Sequence, residues 1–332
     1  MHVKLNKNDK IFLAGSTGMV GSSLKRALLK LGFGKDIYKS NLLTPSRKDL
    51  DLQDTNAVKN WFKRNKPSIV ILSAAKVGGI QANSNYPADF LLENIKIQTN
   101  VIESSWSIGV RRLLFLGSSC IYPRLACQPI KEEALLQSSL ESTNESYAIA
   151  KIAGLKLCES LRKQYGFDAI SLMPTNLYGP NDNYHPINSH VMAALIRKFL
   201  IAQKENLSSV TCWGSGNALR EFMHVDDLAE GIIFCLENWD PSEKNAPKDS
   251  FGKELNHLNI GTGKEITIKD LAKKIANITN FKGEILWDSS KPDGTPRKIL
   301  DVSRLNKLGW KSKIDLDFGI KNTIKSLKGN LF

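Results

Sequence analysis

The chain has 332 residues, 42% hydrophobic and 24% charged, an ordinary globular composition with enough length for one large or two moderate domains. No stretch approaches the roughly 18 apolar residues of a membrane-crossing helix, so no membrane partner is expected. The net charge of +13 is spread along the chain without a block of like charges or a recognised nucleic-acid motif. It fits a solvated basic surface or a cleft holding several phosphates, and nucleic acid is not the expected partner.

The N-terminal MHVKLNKNDK carries no apolar signal region. Five cysteines (Cys120, Cys127, Cys158, Cys212 and Cys235) show neither CxxC nor metal-type spacing, so no metal is expected and reduced thiols in a cytoplasm are. An apolar strand at Lys10–Ala14 runs into Gly15-Ser16-Thr17-Gly18-Met19-Val20-Gly21. Apolar residues then recur with helical spacing at Val20, Leu24, Ala27, Leu28 and Leu31. Strand, glycine turn and helix are the context of a dinucleotide-binding turn, with Gly15, Thr17, Gly18, Met19, Val20 and Gly21 around the pyrophosphate.

The next strand should end near Leu43. An acid there would hold a ribose 2′-hydroxyl, but none occurs before Asp49. Ser46 and Arg47 suit a 2′-phosphate instead, which predicts NADP(H) rather than NAD, with Asp51 and Leu52 beside the adenine. Ser68–Ala74 reads as a buried strand whose end, Ala74-Ala75-Lys76-Val77-Gly78-Gly79-Ile80, is small enough for close approach to a cofactor or sugar. A long helix is expected over 90–109.

The apolar run Leu113–Leu116 breaks at Gly117 into Ser118, Ser119 and Cys120, a strand delivering small polar groups at its carboxyl end. On an extended strand Cys120 would point to the same side as Ser118. Tyr147 and Lys151 stand at i and i+4 of a helix over about 145–165, where a nearby ammonium would lower the phenol's pKa. Ser118, Tyr147 and Lys151 together can move a proton onto an oxygen while a cofactor moves a hydride. Both long helices are apolar on more than one side, which predicts a homodimer through 90–109 and 145–165 or cover from the chain's own C-terminal part.

A strand at Asp168–Met173 ends in Pro174-Thr175-Asn176-Leu177, after which the β-α alternation loosens. A helix follows from Val191, a strand lies near Val210, and Asp226 or Asp227 is placed to cap a helix. The fold class expected is α/β: a Rossmann-type doubly wound parallel sheet with a smaller C-terminal α/β substrate-binding domain. Residues 1–180 would form the dinucleotide-binding domain and 181–332 mainly the substrate domain, with about 220–260 returning to the first.

Seven segments occur in order: AAKVGGI at 74–80, GSSCIYP at 117–123, NExYAIAKIAG at 144–154, MPTNLYGPxDN at 173–183, NSHV at 188–191, WGSGxxxREFxHVDD at 213–227 and SKPDGTPRK at 290–298. Over nearly the whole chain they resemble the extended short-chain dehydrogenase/reductase superfamily, and within it the members that invert C3 and C5 of a 4-keto nucleotide sugar and reduce C4. The resemblance implies NADP(H) and GDP-4-keto-6-deoxymannose. It implies a reductase set of Ser118, Tyr147 and Lys151, and Cys120 and His190 as the pair handling protons at C3 and C5. It also implies cofactor contacts from Ala74, Ala75, Lys76, Pro174, Asn176, Leu177 and His190, and substrate contacts from Ser118, Ser119, Cys120, Asn176, Lys198, Trp213, Arg220 and Lys291. Two positions depart from the pattern. Ser16 and Thr17 stand in the glycine turn where some members carry Arg, and Lys198 stands where some relatives have Arg, which removes a bidentate phosphate grip.

The chemistry is consistent with the residues themselves. A 4-keto group acidifies the C3 and C5 hydrogens; a Cys120 thiolate can remove them, and His190 can be the acid near neutral pH. Other readings remain at this stage. A 4,6-dehydratase would want an acid beside Ser118, where Ser119 and Cys120 stand; a 4-epimerase would retain NAD; a non-catalytic dinucleotide sensor or RNA-binding protein could keep the fold.

Overall fold

The computed structural model describes residues 5–35, 41–291 and 293–327. The first residues of the N-terminal stretch and Pro292 of the basic segment lie outside the described residues. In chain order the elements are β1 (Ile11–Ala14), α1 (Met19–Lys30), β2 (Leu42–Leu43), α2 (Thr55–Asn65), β3 (Ile69–Leu72), α3 (Ile80–Asn85), α4 (Pro87–Ser107) and β4 (Arg112–Leu116). There follow α5 (Glu145–Tyr165), β5 (Ala169–Pro174), β6 (Asn176–Tyr178), α6 (Val191–Lys204), β7 (Ser209–Trp213), β8 (Leu219–His224) and α7 (Val225–Asn238). The chain then runs through β9 (His257–Ile260), β10 (Glu265–Thr267), α8 (Ile268–Ile278), β11 (Glu284–Asp288), β12 (Arg297–Lys298), α9 (Ser303–Leu308) and α10 (Leu316–Ser326).

The main sheet has the order β2-β1-β3-β4-β5-β9, all parallel. Strands β1 and β3 read as continuous apolar runs because both faces are covered. On one face, Phe12, Val70, Leu113 and Phe115 pack with Trp61 and Phe62 of α2, Val101 of α4 and Leu155 of α5. On the other, Ile11, Ile71, Leu114 and Ile170 pack with Leu24 and Leu28 of α1, Leu228 and Ile232 of α7 and Leu305 of α9. Burying each such side chain contributes roughly 1.5–3 kcal/mol. The doubly wound α/β architecture expected from the sequence is therefore present. The chain reverses direction across the sheet at β1, since β2 lies on one side of it and β3 on the other, and such a switch point opens a crevice at the strands' carboxyl ends.

A second cluster forms the C-terminal lobe, where Ile196, Phe199, Phe222, Leu271, Ile275 and Ile320 pack together. Here β8 pairs with β6, β10 and β12, and β7 with β11. The chain between these lobes crosses more than once: β9 lies beside β5 in the main sheet, and α7 packs its buried face on the same layer as α1. Glu221, fully buried, ties the two parts together by accepting from the amides of Gly263 at 2.8 Å and Leu300 at 2.9 Å.

The expected cap at Asp226 or Asp227 is not what the structure contains. His224 caps α7, its Nδ1 accepting from the Asp226 amide at 3.2 Å. The two aspartates occupy the first turn, where their charge complements the helix dipole, and both are engaged elsewhere. Asp226 accepts from Ser23 and Arg26 of α1, and Asp227 from the amides of Lys313 and Ile314.

Candidate active site

A cavity of about 1030 Å³ opens at the carboxyl ends of the central strands and extends into the C-terminal lobe. Its first wall is the glycine turn. Gly15 has φ +85°, and a Cβ there would lie 2.9 Å from the Ala74 backbone, so β1 and β3 close at this point only around a glycine. Gly18 begins α1 with no side-chain cap and no acid in the first turn. The first-turn amides of Met19, Val20 and Gly21 therefore have no helical partner, and they face the cavity mouth as an anion cradle. This is the shape and chemistry that a dinucleotide pyrophosphate requires. Thr17, Ala74, Ala75, Pro174 and Leu177 line the same wall.

Ser46, Arg47, Asp51 and Leu52 line the cavity beyond β2. The Ser46 hydroxyl is already engaged, donating to Asp49 at 2.6 Å, while Arg47 is exposed with its guanidinium at the rim. Lys76 lines the cavity as expected, but its ammonium turns onto α4, pairing with Asp89 at 3.0 Å and Glu93 at 2.5 Å. Those carboxylates raise its pKa and neutralise its field.

β4 ends at Leu116, and Ser118, Tyr147 and Lys151 converge beyond it. Residues 119–121 are not extended; they form a 3-10 turn capped by Ser118, whose Oγ accepts from the Cys120 amide at 3.2 Å. Cys120 thus shares the cavity with Ser118 because of this turn, and the strand alternation expected from the sequence does not apply. Lys151 lies one turn of α5 beyond Tyr147, with its ammonium 5.9 Å from the phenol ring centroid. It donates to the Leu116 carbonyl at 2.9 Å.

Burial governs both titrating groups. It raises the Tyr147 pKa above its ordinary value, with Cys120 adding to the rise and a hydrogen bond to Ser118 opposing it. It pushes Lys151 down to about 7. The expected lowering of the phenol by the ammonium is absent, because Lys151 is directed at a backbone carbonyl and has itself lost its water. The result is a protonated phenol at neutral pH, poised to donate.

His190 reaches the cavity by a backbone contact. The Gly79 amide donates to the Asn188 carbonyl at 3.1 Å, and a Cβ at Gly79 would lie 2.5 Å from the Ser189 oxygen. The loop is thereby drawn against the glycine-rich end of β3. The imidazole is exposed along the cavity, and partial desolvation by the surrounding protein lowers its pKa.

In the C-terminal lobe, Trp213 is half exposed between two ammonium groups, Lys198 at 5.5 Å and Lys291 at 5.8 Å from its ring. Lys198 also donates to the Thr211 carbonyl at 2.7 Å. Lys198, Trp213, Arg220, Asn176 and Ser119 line the cavity; Lys291 does not, and approaches it only through Trp213. Arg220 is held by the carbonyls of Leu219 and Asp293, and Asn176 donates to the Glu221 carbonyl at 2.8 Å. An aromatic face beside cations suits a base and its diphosphate.

Sequence reasoning missed two neighbours of Cys120. Asn144 Nδ2 lies 3.4 Å and Lys298 Nζ 3.6 Å from its Sγ. Lys298 arrives through the pairing of β12 with β8, 178 positions along the chain from Cys120, and no local pattern signals that contact.

The NAD dependent epimerase/dehydratase family model matches residues 11–261. The chain is 51% identical over 318 residues to GDP-L-fucose synthase 1 of Arabidopsis thaliana, covering 96% of this chain and 93% of that one. It is 50% identical over 319 residues to GDP-L-fucose synthase of Escherichia coli, covering 95% of each. Among solved structures, a GDP-mannoheptose C4 reductase from Campylobacter jejuni with NADP bound superposes with a TM-score of 0.86 at 39% identity, covering 98% of this chain and 99% of that one.

The burial of Lys151 has a measurable signature in stability. Its amine titrates near about 7 when folded and near about 10.4 when unfolded. Below the folded value both states are protonated and the burial penalty is constant. Between the two values the unfolded chain binds one proton more, so stability rises with pH. Urea unfolding of the cofactor-free protein should show the native chain gaining on Lys151→Met by on the order of 2 kcal/mol from about pH 7 to about pH 9. A difference between the two that does not change with pH would contradict this placement of the amine.

Proposed function

This chain belongs to the NAD dependent epimerase/dehydratase family, and we propose that it converts GDP-4-keto-6-deoxy-D-mannose to GDP-L-fucose, inverting C3 and C5 and then reducing C4 with NADPH. The observation that carries the reading is the meeting of Ser118, Tyr147 and Lys151 with Cys120 and His190 in one cavity that also holds an anion cradle. The relatives named GDP-L-fucose synthase support the product of this reading, and the C4 reductase with NADP bound supports its reductive step. Residues 1–180 serve mainly the dinucleotide and 181–332 mainly the nucleotide sugar.

Each residue has a distinct task. Trp213, Lys198 and Arg220 hold the nucleotide and its diphosphate, with Lys291 assisting through the Trp213 face; Ser119 and Asn176 border the sugar. Cys120 removes the proton from C3 or C5, and His190 returns one on the opposite face, its protonation favoured by the nearby diphosphate. The C–H electron pair moves onto the C4 oxygen, and hydrogen bonds from Ser118 and Tyr147 stabilise that oxyanion. NADPH supplies the hydride for C4 once both centres are inverted. Tyr147 then gives its phenolic proton to the C4 oxygen, which its raised pKa permits at neutral pH. The first-turn amides of α1 hold the pyrophosphate, and Arg47 takes the 2′-phosphate.

The direct test supplies GDP-4-keto-6-deoxymannose, follows NADPH oxidation and identifies the product by NMR. The expected product is the L-configured 6-deoxygalactose nucleotide. In the same assay Tyr147→Phe should lower turnover at least about a hundredfold, and Arg47→Ala should raise KM for NADPH about tenfold with little change for NADH. Oxidation with C3 and C5 unchanged would overturn the roles of Cys120 and His190, and no oxidation would overturn the whole reading.

The protein acts as a homodimer through α4 and α5 in this account. The two helices pack side by side, Gln98 donating to the Ala150 carbonyl, and each still exposes an apolar side chain, Leu92 at 55% and Ile149 at 45%. Sedimentation should give twice the chain mass for the native protein and the single chain mass for Leu92→Glu with Ile149→Glu; an unchanged mass would contradict it. A reduced Cys120 suits the cytoplasm, the compartment proposed here, and cell fractionation placing the protein elsewhere would contradict that assignment.

A further inference from the structure

Cys120 has a setting that neither a buried structural thiol nor a solvated one shares. Its Sγ accepts from the Asn144 amide at 3.4 Å and the Lys298 ammonium at 3.6 Å. Asn144 is fixed by its place before α5, with its amide oxygen buried. Lys298 is fixed by strong anchoring on both sides. The Ile299 amide donates to Gln128 at 2.9 Å and the Leu300 amide to Glu221 at 2.9 Å, while Thr295 donates to Glu141 at 3.1 Å. The β12–β8 register sets Lys298 opposite Arg220.

We propose that Lys298 is the counter-ion that keeps Cys120 as a thiolate at neutral pH, with Asn144 as the second donor to the sulfur. The inference rests on the reading of Cys120 as the base and deepens it by stating what makes a cysteine basic here. The charged and titratable groups that face Cys120 are Tyr147 from α5, Arg220 from β8 and Lys298 from β12. Glu141 and Asp293 act on Arg220 and offset part of its field, and no carboxylate bonds the thiol among the described residues. Lys298 is thus the cation in direct contact, and a donor pair of one cation and one amide is suited to a sulfur anion.

In the step that follows, the thiolate takes a proton from the sugar carbon and becomes S–H, while the C–H pair moves to the C4 oxygen. Lys298 keeps its own proton throughout, so it is a positioning and electrostatic group that acts through Cys120. The thiol later releases its proton to solvent and the ion pair reforms.

The test is the pH dependence of iodoacetamide alkylation at Cys120, followed by peptide mapping so that exposed Cys127 is counted separately, on the NADP-bound protein. In the native protein alkylation should approach its plateau by pH 7, with the midpoint of its pH profile below neutrality. Lys298→Met should move that midpoint above neutrality, so that alkylation at pH 7 slows several-fold. Lys298→Arg should retain the native midpoint, and Asn144→Asp, which places a carboxylate on the sulfur, should raise it without removing Lys298. Lys298→Gln, which removes the charge and keeps a polar side chain, should raise the midpoint as Lys298→Met does and decides the matter if Lys298→Met does not fold. An unchanged midpoint in Lys298→Met, or a change confined to substrate KM, would overturn the inference. Deuterium exchange at C3 and C5 by Cys120→Ser tests the underlying reading separately. Undiminished exchange there removes Cys120 as the base, whatever the thiol titration gives.

Discussion

The ammonium of Lys151 sits 2.9 Å from the Leu116 carbonyl, buried in a slot between β4 and α5. Much of the site follows from that desolvated slot. It exists because β4 is apolar from Leu113 to Leu116 and α5 covers it, so the strand's end is buried beside the helix. Burial pushes the amine down to about 7 and the Tyr147 phenol up. A reductase working at neutral pH needs a proton donor that keeps its proton until an alkoxide forms, and a buried phenol meets that need. Other polar groups of the lining are paired as well: Cys120 is met by two donors, and Lys76 is held by two carboxylates.

The cavity sorts its charges by position. At the dinucleotide end the anion site is made of backbone amides and a helix dipole, with Arg47 at the rim. At the far end it is made of side chains, Lys198 and Lys291 about Trp213 and Arg220 nearby. The overall charge of +13 therefore includes a functional part, though Lys76 shows that a cation in the lining need not contribute to it. Between the two ends lie Ser118, Cys120, Tyr147 and His190, so two ligands entering from opposite ends would meet beside them.

Much of this was legible in the chain. The glycine turn, the apolar strands and the Tyr147–Lys151 spacing are local patterns, and local patterns survive folding. The seven motif segments pointed to residues that the fold then gathered into one cavity. What could not be read was set by tertiary pairing. Lys298 reaches Cys120 only through the β12–β8 register, and the drop in the Lys151 pKa comes from burial that only the packing of α5 on β4 creates. The 3-10 turn after Ser118 overrode the strand alternation that placed Cys120, and His224 takes the cap expected of an aspartate, its ring nitrogen accepting from the Asp226 amide.

The central claim is that one cavity performs two separable jobs, proton movement at C3 and C5 by one set of residues and reduction at C4 by another. Incubating the native protein with GDP-4-keto-6-deoxymannose in heavy water, with NADP+ in place of NADPH, tests it most directly. The account predicts deuterium at both C3 and C5 by NMR with the C4 ketone intact. Absence of deuterium at either carbon until hydride is supplied would contradict it.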